Sequence, residues 1–115
     1  MGARCTFVFK QSEDLGVALY SHWGEDSMYK DLALALRHAA PRKGDDGYYI
    51  RMAVSFLLSE AVMEETGYGL YACKINEIGY MDHPIVIDLR TSTVHDFTGI
   101  HEIEKFIEYH VGAMV

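Results

Sequence analysis

Residues 6–23, TFVFKQSEDLGVALYSHW, contain two runs rich in β-branched and aromatic side chains, separated by a polar segment. This pattern predicts a β-hairpin with strands over 6–10 and 17–23. Alternation gives the second strand two faces, with Val17, Leu19, Ser21 and Trp23 on one and Ala18, Tyr20 and His22 on the other. We therefore expect His22 and Trp23 to point in opposite directions, with Trp23 toward the core.

Two helices are predicted after this hairpin. Asp26 or Ser27 can cap the first, which runs to about Ala40. The second, YYIRMAVSFLLSEAVMEET at 48–66, is apolar around nearly its whole circumference, and Gly67 is predicted to end it. We expect this second helix to be buried on most sides.

The polar residues of the second helix follow one line. Arg51, Ser55 and Ser59 are spaced by four and form a narrow seam along the helix. A buried guanidinium needs a partner, and Asp88, on a predicted strand, is a candidate. Arg51 can thus serve either a structural ion pair or a ligand, and the sequence leaves both open.

The second half of the chain predicts three strands and a helix. GLYACKI at 69–75 is a strand, IVIDLR at 85–90 and TVHDF at 93–97 form a hairpin, and IHEIEKFIEYH at 100–110 is a terminal amphipathic helix. The order is β-β-α-α-β-β-β-α. We expect one α+β domain over 1–115, with a mainly antiparallel sheet of about five strands covered by three helices.

Composition limits the classes of partner. The 115 residues are 50% hydrophobic and carry a net charge of −7. Duplex nucleic acid is a poor partner for such a chain, because cationic contacts with phosphates supply most of that affinity. A small anion needs only an arginine and a few backbone amides, and an acidic face could instead mimic nucleic acid toward a protein. Eight tyrosines leave aromatic surface for a homodimer.

No cofactor, metal or membrane segment is predicted. Cys5 and Cys73 have neither zinc-site nor disulfide spacing, and no apolar run reaches about 18 residues, so we expect a cytoplasmic protein. The six histidines lack metal-ligand spacing, and the His95-Asp96 pair is typical of chance. No nucleophile or phosphate-loop motif occurs, so we predict no catalytic residue and favour a protein that is not an enzyme.

The segment SHWGEDS suggests where a ligand would bind. A tryptophan at a strand end, followed by glycine and a helix N-terminus, places a flat stacking surface beside partial positive charge. The candidate ligand-binding residues are Tyr20, His22, Trp23, Gly24, Arg51 and Tyr68, with the amides before the first helix receiving the anion.

Four segments, LYSHWGE, YYIRMAVSFLLSE, ETGYGL and DHPIVIDLRTSTV, together resemble a group of small uncharacterised proteins encoded by bacteriophages and prophages. The pattern of that group runs LYxHWxG, YLxRxxFSEM and TGYGI, followed by a turn with His-Pro and a strand that ends in aspartate. The resemblance spans about residues 18–94. The chain departs from the pattern where FSEM is replaced by FLLSE.

The resemblance implies a viral accessory protein that acts in the cytoplasm of a bacterial host, and a role against host defence is one expectation. Our leading hypothesis is binding of a small nucleotide-like anion without turnover. The first alternative is an inhibitor that binds a host defence protein through an acidic, nucleic-acid-mimicking face. The second is a small nucleotide hydrolase that uses His22 as an acid or base.

Overall fold

The computed structural model describes residues 4–22 and 27–112. Its elements, in chain order, are β1 (Cys5–Lys10), β2 (Leu15–Ser21), α1 (Met28–Ala39), α2 (Asp46–Leu57), β3 (Tyr68–Lys74), β4 (Pro84–Asp88), β5 (Thr93–Asp96), β6 (Gly99–Glu102) and α3 (Ile103–Val111). Short 3-10 segments occur at Ala40–Arg42 and Ile75–Tyr80. The predicted α+β class is confirmed.

The described strands form one mixed sheet in the order β3-β2-β1-β4-β5-β6. Four neighbouring pairs are antiparallel, but β1 and β4 are parallel, with Phe7 opposite Ile85 and Phe9 opposite Ile87. The prediction of about five mainly antiparallel strands therefore needs correction to six strands with one parallel pair. No hairpin joins β1 to β4, since β2, two helices and β3 intervene, so their relative direction is not set by a turn.

The additional strand is β6, which was predicted to be the first turn of the terminal helix. The chain turns tightly between Asp96 and Gly99, whose φ of +133° lies in a region that glycine adopts readily. β6 then pairs with β5, and α3 begins only at Ile103. Ile100, the first residue of the predicted terminal helix, is instead exposed on β6.

The three helices lie on one face of the sheet. Their core packs against side chains that alternate along the strands, including Phe7, Phe9, Leu19, Ile85, Ile87 and Val94. A smaller cluster on the opposite face joins Val8, Ala18 and Cys73, against which Ile75 and Ile78 of the 3-10 segment pack. The predicted alternation along β2 is therefore confirmed for Leu19 and Ala18. Trp23 lies outside the described residues.

The second helix is shorter and less buried than predicted. α2 ends at Leu57, and turns occupy much of the chain from there to β3. Gly67 does not cap α2; its carbonyl accepts a hydrogen bond from the His22 N–H at 2.8 Å. The apolar side chains Val62 and Met63, which would extend the helix, are exposed. Within the part of the chain that the structure describes, no helix is long and apolar enough to cross a bilayer.

Candidate functional site

The structure separates the residues that the sequence placed in one pocket. Tyr20 and His22 share a face of the sheet, where the Tyr20 hydroxyl lies 3.3 Å from His22 Nδ1. Tyr68 stands opposite Ser21 in the β2–β3 ladder and packs against the core on the helix-covered face. The tyrosine–histidine pair and Tyr68 therefore lie on opposite sides of the sheet.

Arg51 is exposed on α2, as are Ser55 and Ser59, so the predicted buried seam is wrong. Asp88 is not the partner of Arg51. The buried Asp88 carboxylate lies 3.8 Å from Lys10 Nζ and 3.7 Å from Arg90 Nε, and it accepts a 3.0 Å hydrogen bond from the Arg90 N–H. Asp88 therefore forms its ion pairs with Lys10 and Arg90 rather than with Arg51.

A pocket of about 380 Å³ does lie beside Ser21, Met28 and Tyr68, near the corner suggested by the sequence. Its described lining includes the carboxylates of Asp31 and Glu60 and no lysine or arginine. Two carboxylates disfavour an anion at this position. The predicted contacts of Trp23 and Gly24 lie outside the described residues.

A larger groove, of about 630 Å³, lies where α3 meets the β5–β6 turn and the start of α1. We call it the α3 groove. It is lined by a set of aromatic and histidine rings: Tyr29, Phe97, His101, Phe106, Tyr109 and His110. This set makes the groove the strongest candidate for a ligand site among the described residues.

Asp96 organises the polar end of the α3 groove. Its side chain is almost wholly buried, and Oδ1 accepts bonds from the Thr98 N–H at 2.8 Å and the Thr98 hydroxyl at 2.5 Å. His101 Nε2 lies 3.3 Å from the same oxygen and 2.8 Å from Thr98 Oγ1. Burial alone would raise the pKa of Asp96, but the bonds from Thr98 and His101 outweigh it and lower the pKa.

The His101 imidazole is thereby held in a fixed orientation. A carboxylate bonded to one ring nitrogen sets which nitrogen carries the proton and leaves the other available. Here the nitrogen bonded to Asp96 is Nε2, so Nδ1 is the atom left for a ligand or a proton transfer.

His110 forms the aromatic wall with Tyr29. Their rings are stacked, with 5.6 Å between centroids and 13° between planes, and Phe106 lies 4.5 Å from the imidazole. Burial lowers the pKa of His110; the Asp96 charge opposes this shift and His101 adds to it. The imidazole consequently presents a neutral, flat surface at neutral pH.

Tyr29 links this wall to the loop before β4. A 2.8 Å hydrogen bond joins its hydroxyl to His83 Nε2, and the Phe97 ring lies about equally close to both rings. His83 has a φ of +39°, although it is not glycine and precedes Pro84. Backbone strain of this kind persists where surrounding contacts impose it, and it is often found at functional sites.

Two aromatic side chains of the groove are turned largely toward solvent. Phe97 is 78% exposed and Tyr109 is 84% exposed. Large exposed rings beside a concave surface are typical of ligand sites, because they gain burial only when a ligand arrives. No cluster of three or more potential metal ligands occurs among residues 4–22 and 27–112.

Sequence reasoning missed the α3 groove for a structural reason. Its residues come from three separated segments, and His101 was placed on a helix rather than on β6. His95 and Asp96 lie on opposite faces of β5, so the two side chains do not face one another. The sequence did contain a signal for a turn at residues 96–99. An aspartate can accept a hydrogen bond from the backbone N–H two residues later, and Gly99 follows directly.

Comparison with known proteins finds no matching family model, no similar curated protein and no similar solved structure. The structure is that of a small α+β protein with an aromatic, histidine-rich groove as its candidate site. The chemistry of that site is therefore the basis for assigning a function.

Proposed function

We propose that this protein binds a small nucleotide-like anion in the α3 groove without converting it. The observation that carries the proposal is the pair of exposed rings, Phe97 and Tyr109, on a groove with a stacked Tyr29–His110 wall. A nucleobase offers a π-face to each of these surfaces. Stacking of a base on an aromatic side chain contributes about 1–3 kcal/mol.

The charges of the groove support a phosphate at one end. Lys105, in the first turn of α3, lines the groove and stands where the helix N-terminus adds partial positive charge. The negative charge of Asp96 is already engaged by Thr98 and His101. Glu108 is the remaining carboxylate of the lining, so we place the phosphate toward Lys105 and the ring toward Tyr109.

Calorimetric titration with three probes tests whether the base and the phosphate of the ligand bind at opposite ends of the groove. Adenosine monophosphate carries both ring and phosphate, adenosine only the ring, and ribose 5-phosphate only the phosphate. We expect the monophosphate to bind most tightly, because it alone uses both ends of the groove. Equal affinity for the monophosphate and ribose 5-phosphate would contradict a stacking site.

A pair of tyrosine variants locates the site. Tyr109→Ala should weaken monophosphate binding by about 5- to 150-fold, which corresponds to the loss of about 1–3 kcal/mol of stacking. Tyr80→Ala is the matched control, because Tyr80 is 93% exposed and lies outside the groove, in the 3-10 segment before β4. Equal effects of the two variants would contradict binding in the α3 groove.

One feature favours a hydrolase as the second candidate. The Asp96–His101 pair has the carboxylate–imidazole arrangement of a general acid or base, and it would take the role first assigned to His22. Chromatography of the nucleotide after incubation separates the two proposals. Turnover that His101→Ala abolishes would establish the hydrolase, whereas unchanged nucleotide with retained binding favours simple binding.

The biological setting stays a prediction. A bacteriophage accessory protein that sequesters a host signalling nucleotide would need this kind of groove, and its action would be in the bacterial cytoplasm. Inhibition of a host defence protein by an acidic face rests on the net charge of −7 alone. Binding of adenosine monophosphate in the titration would favour sequestration of a nucleotide over inhibition of a host defence protein.

A further inference from the structure

The open edge of the sheet at β3 offers a second interaction surface, on the side away from the α3 groove. β3 is the outermost described strand and pairs only with β2. It spans seven residues, Tyr68–Lys74, without a proline. Natural proteins usually protect such an edge with prolines, bulges or several charges, because unpaired backbone groups bind other strands.

The hydrogen bonds at both ends of β3 reveal which backbone groups point outward. The His22 N–H donates to the Gly67 carbonyl and the Ile75 N–H to the Asp14 carbonyl, each at 2.8 Å. In an antiparallel ladder, residues that bond a given neighbour alternate along the strand. The residues bonded to β2 are therefore the odd-numbered ones. The N–H and C=O groups of Tyr68, Leu70 and Ala72 face the open edge, as does the Lys74 C=O, whereas the Lys74 N–H donates to Glu77 Oε1 at 3.3 Å.

We propose that β3 pairs antiparallel with β3 of a second copy, about a two-fold axis at Tyr71. In this register Tyr68 lies opposite the partner's Lys74, and Leu70 lies opposite the partner's Ala72. Each Leu70–Ala72 pair exchanges two hydrogen bonds, and each Tyr68–Lys74 pair adds one, because Glu77 occupies the Lys74 N–H, so the interface contains about six in all. A shift along the strand leaves some outward groups unpaired, and this fixes the register.

The side chains of β3 suit its own copy. Leu70, which is 57% exposed, and Ala72, also exposed, share the helix-covered face, so each large side chain meets a small one across the axis. Tyr71 meets the partner's Tyr71 on the other face, as an aromatic cross-strand pair. An interface between identical surfaces requires self-complementarity of this kind.

The Glu77 carboxylate lies at the Lys74 end of this edge, where it accepts a hydrogen bond from the Lys74 N–H, and the chain carries −7 overall. The only formally charged side chain of β3 is Lys74, which in the proposed register faces the partner's Tyr68. An ammonium beside a tyrosine ring is a favourable contact. The α3 groove, at the opposite edge of the sheet, stays open in the dimer.

Sedimentation of the full chain over about 1 µM to about 1 mM tests the dimer, since weak dimers dissociate in this range. We expect the wild type to reach twice its mass of 13.0 kDa. Leu70→Lys places like charges in the interface, and Ala72→Pro removes an outward N–H that β2 does not use, so both should stay monomeric. Ile100→Lys is the matched control, because Ile100 is 67% exposed on the opposite edge strand, and it should still dimerise.

Oxidative cross-linking tests the register. Opposed residues at the axis form a non-hydrogen-bonded pair with Cα atoms about 4.5 Å apart, which suits a disulfide. Tyr71→Cys should therefore give a covalent dimer. Leu70→Cys is the control, because it lies out of register with its own copy, beyond the disulfide limit of about 7 Å. Wild type gives the background, since its Cys5 and Cys73 are buried.

The outcomes are decisive. If the wild-type protein stays monomeric at about 1 mM, the proposal is overturned. A dimer that survives both Leu70→Lys and Ala72→Pro would place the interface elsewhere. Equal cross-linking of Tyr71→Cys and Leu70→Cys would overturn the register.

Discussion

The imidazole of His110 lies nearly parallel to the ring of Tyr29, with 13° between the planes and 5.6 Å between the centroids. Tyr29 in turn is hydrogen-bonded to His83, at the strained turn before β4. The same stack therefore joins α3, α1 and the loop that enters β4. Its stability depends on a neutral imidazole, because burial of the ring penalises the charged form.

Protonation of His110 should consequently weaken the fold. Burial of the ring lowers the folded-state pKa of His110 below its ordinary value of 6.5. The nearby His101 also lowers this pKa, and the Asp96 charge raises it but does not cancel the effect of burial. The unfolded chain then binds the proton more tightly, so stability is greatest above pH 6.5 and falls as the pH drops toward the folded-state pKa.

The His110→Phe variant, which keeps the stack but cannot titrate, isolates this effect. Urea unfolding at a series of pH values should show a wild-type decline below pH 6.5 that is smaller in the variant. The pKa of His110 measured by NMR gives a direct check. A measured value at or above 6.5 would contradict the role assigned to burial.

Asp96 should show the opposite sign. Its folded-state pKa is lowered below the ordinary 3.8 because the bonds from Thr98 and His101 outweigh the effect of burial. The carboxylate therefore stabilises the fold above pH 3.8, and this contribution is lost as the pH falls through the folded-state pKa.

Asp96→Asn keeps an oxygen acceptor for Thr98 but removes the charge. The variant should be less stable than wild type at neutral pH, and the difference should shrink as the pH falls below 3.8. Acid unfolding followed by circular dichroism measures that difference. A gap that stays constant from neutral to strongly acidic pH would show that the charge is not responsible.

Asp88 and Arg51 should differ sharply when each is replaced by alanine. Asp88→Ala leaves Lys10 and Arg90 without their buried partner and should cost about 1–3 kcal/mol. Arg51 is exposed, and no ion pair joins it to another described residue, so Arg51→Ala should change the free energy of unfolding by less than about 0.5 kcal/mol. Denaturant unfolding compares them, and equal losses would restore a structural role for Arg51.

Periodicity was sufficient to predict the local elements that have one buried face. The first hairpin is present with Ala18 and Leu19 on opposite faces, and the predicted first helix buries Leu32 and Leu36, which are four residues apart. Such patterns report which side of an element is buried. They do not report which strands become neighbours, so the parallel contact of β1 with β4 could not be predicted.

The errors share one cause, which is that apolar content does not distinguish a buried helix from exposed turns. Val62 and Met63 extend the apolar pattern of α2 but stand in solvent after Leu57. Similarly, His101 fits a helical pattern until the turn at Gly99 adds a strand. The α3 groove depends on that strand, so a local error concealed the candidate site.

Gly16 is a position where the absence of a side chain is required by the packing of the sheet. A Cβ there would lie 2.7 Å from the Phe9 carbonyl oxygen and 3.3 Å from Ile75 Cδ1. The carbonyl belongs to the backbone of β1 and cannot move without disturbing the ladder, so Gly16→Ala should cost about 1–3 kcal/mol.

Gly79→Ala is the matched control, because a Cβ at Gly79 meets nothing within 4 Å. Alanine restricts the unfolded chain, so this variant should be as stable as wild type or slightly more stable. Thermal and urea unfolding of the two variants give the comparison, and a Gly16→Ala protein as stable as wild type would show that the β1–β2 pair can widen to admit a methyl group.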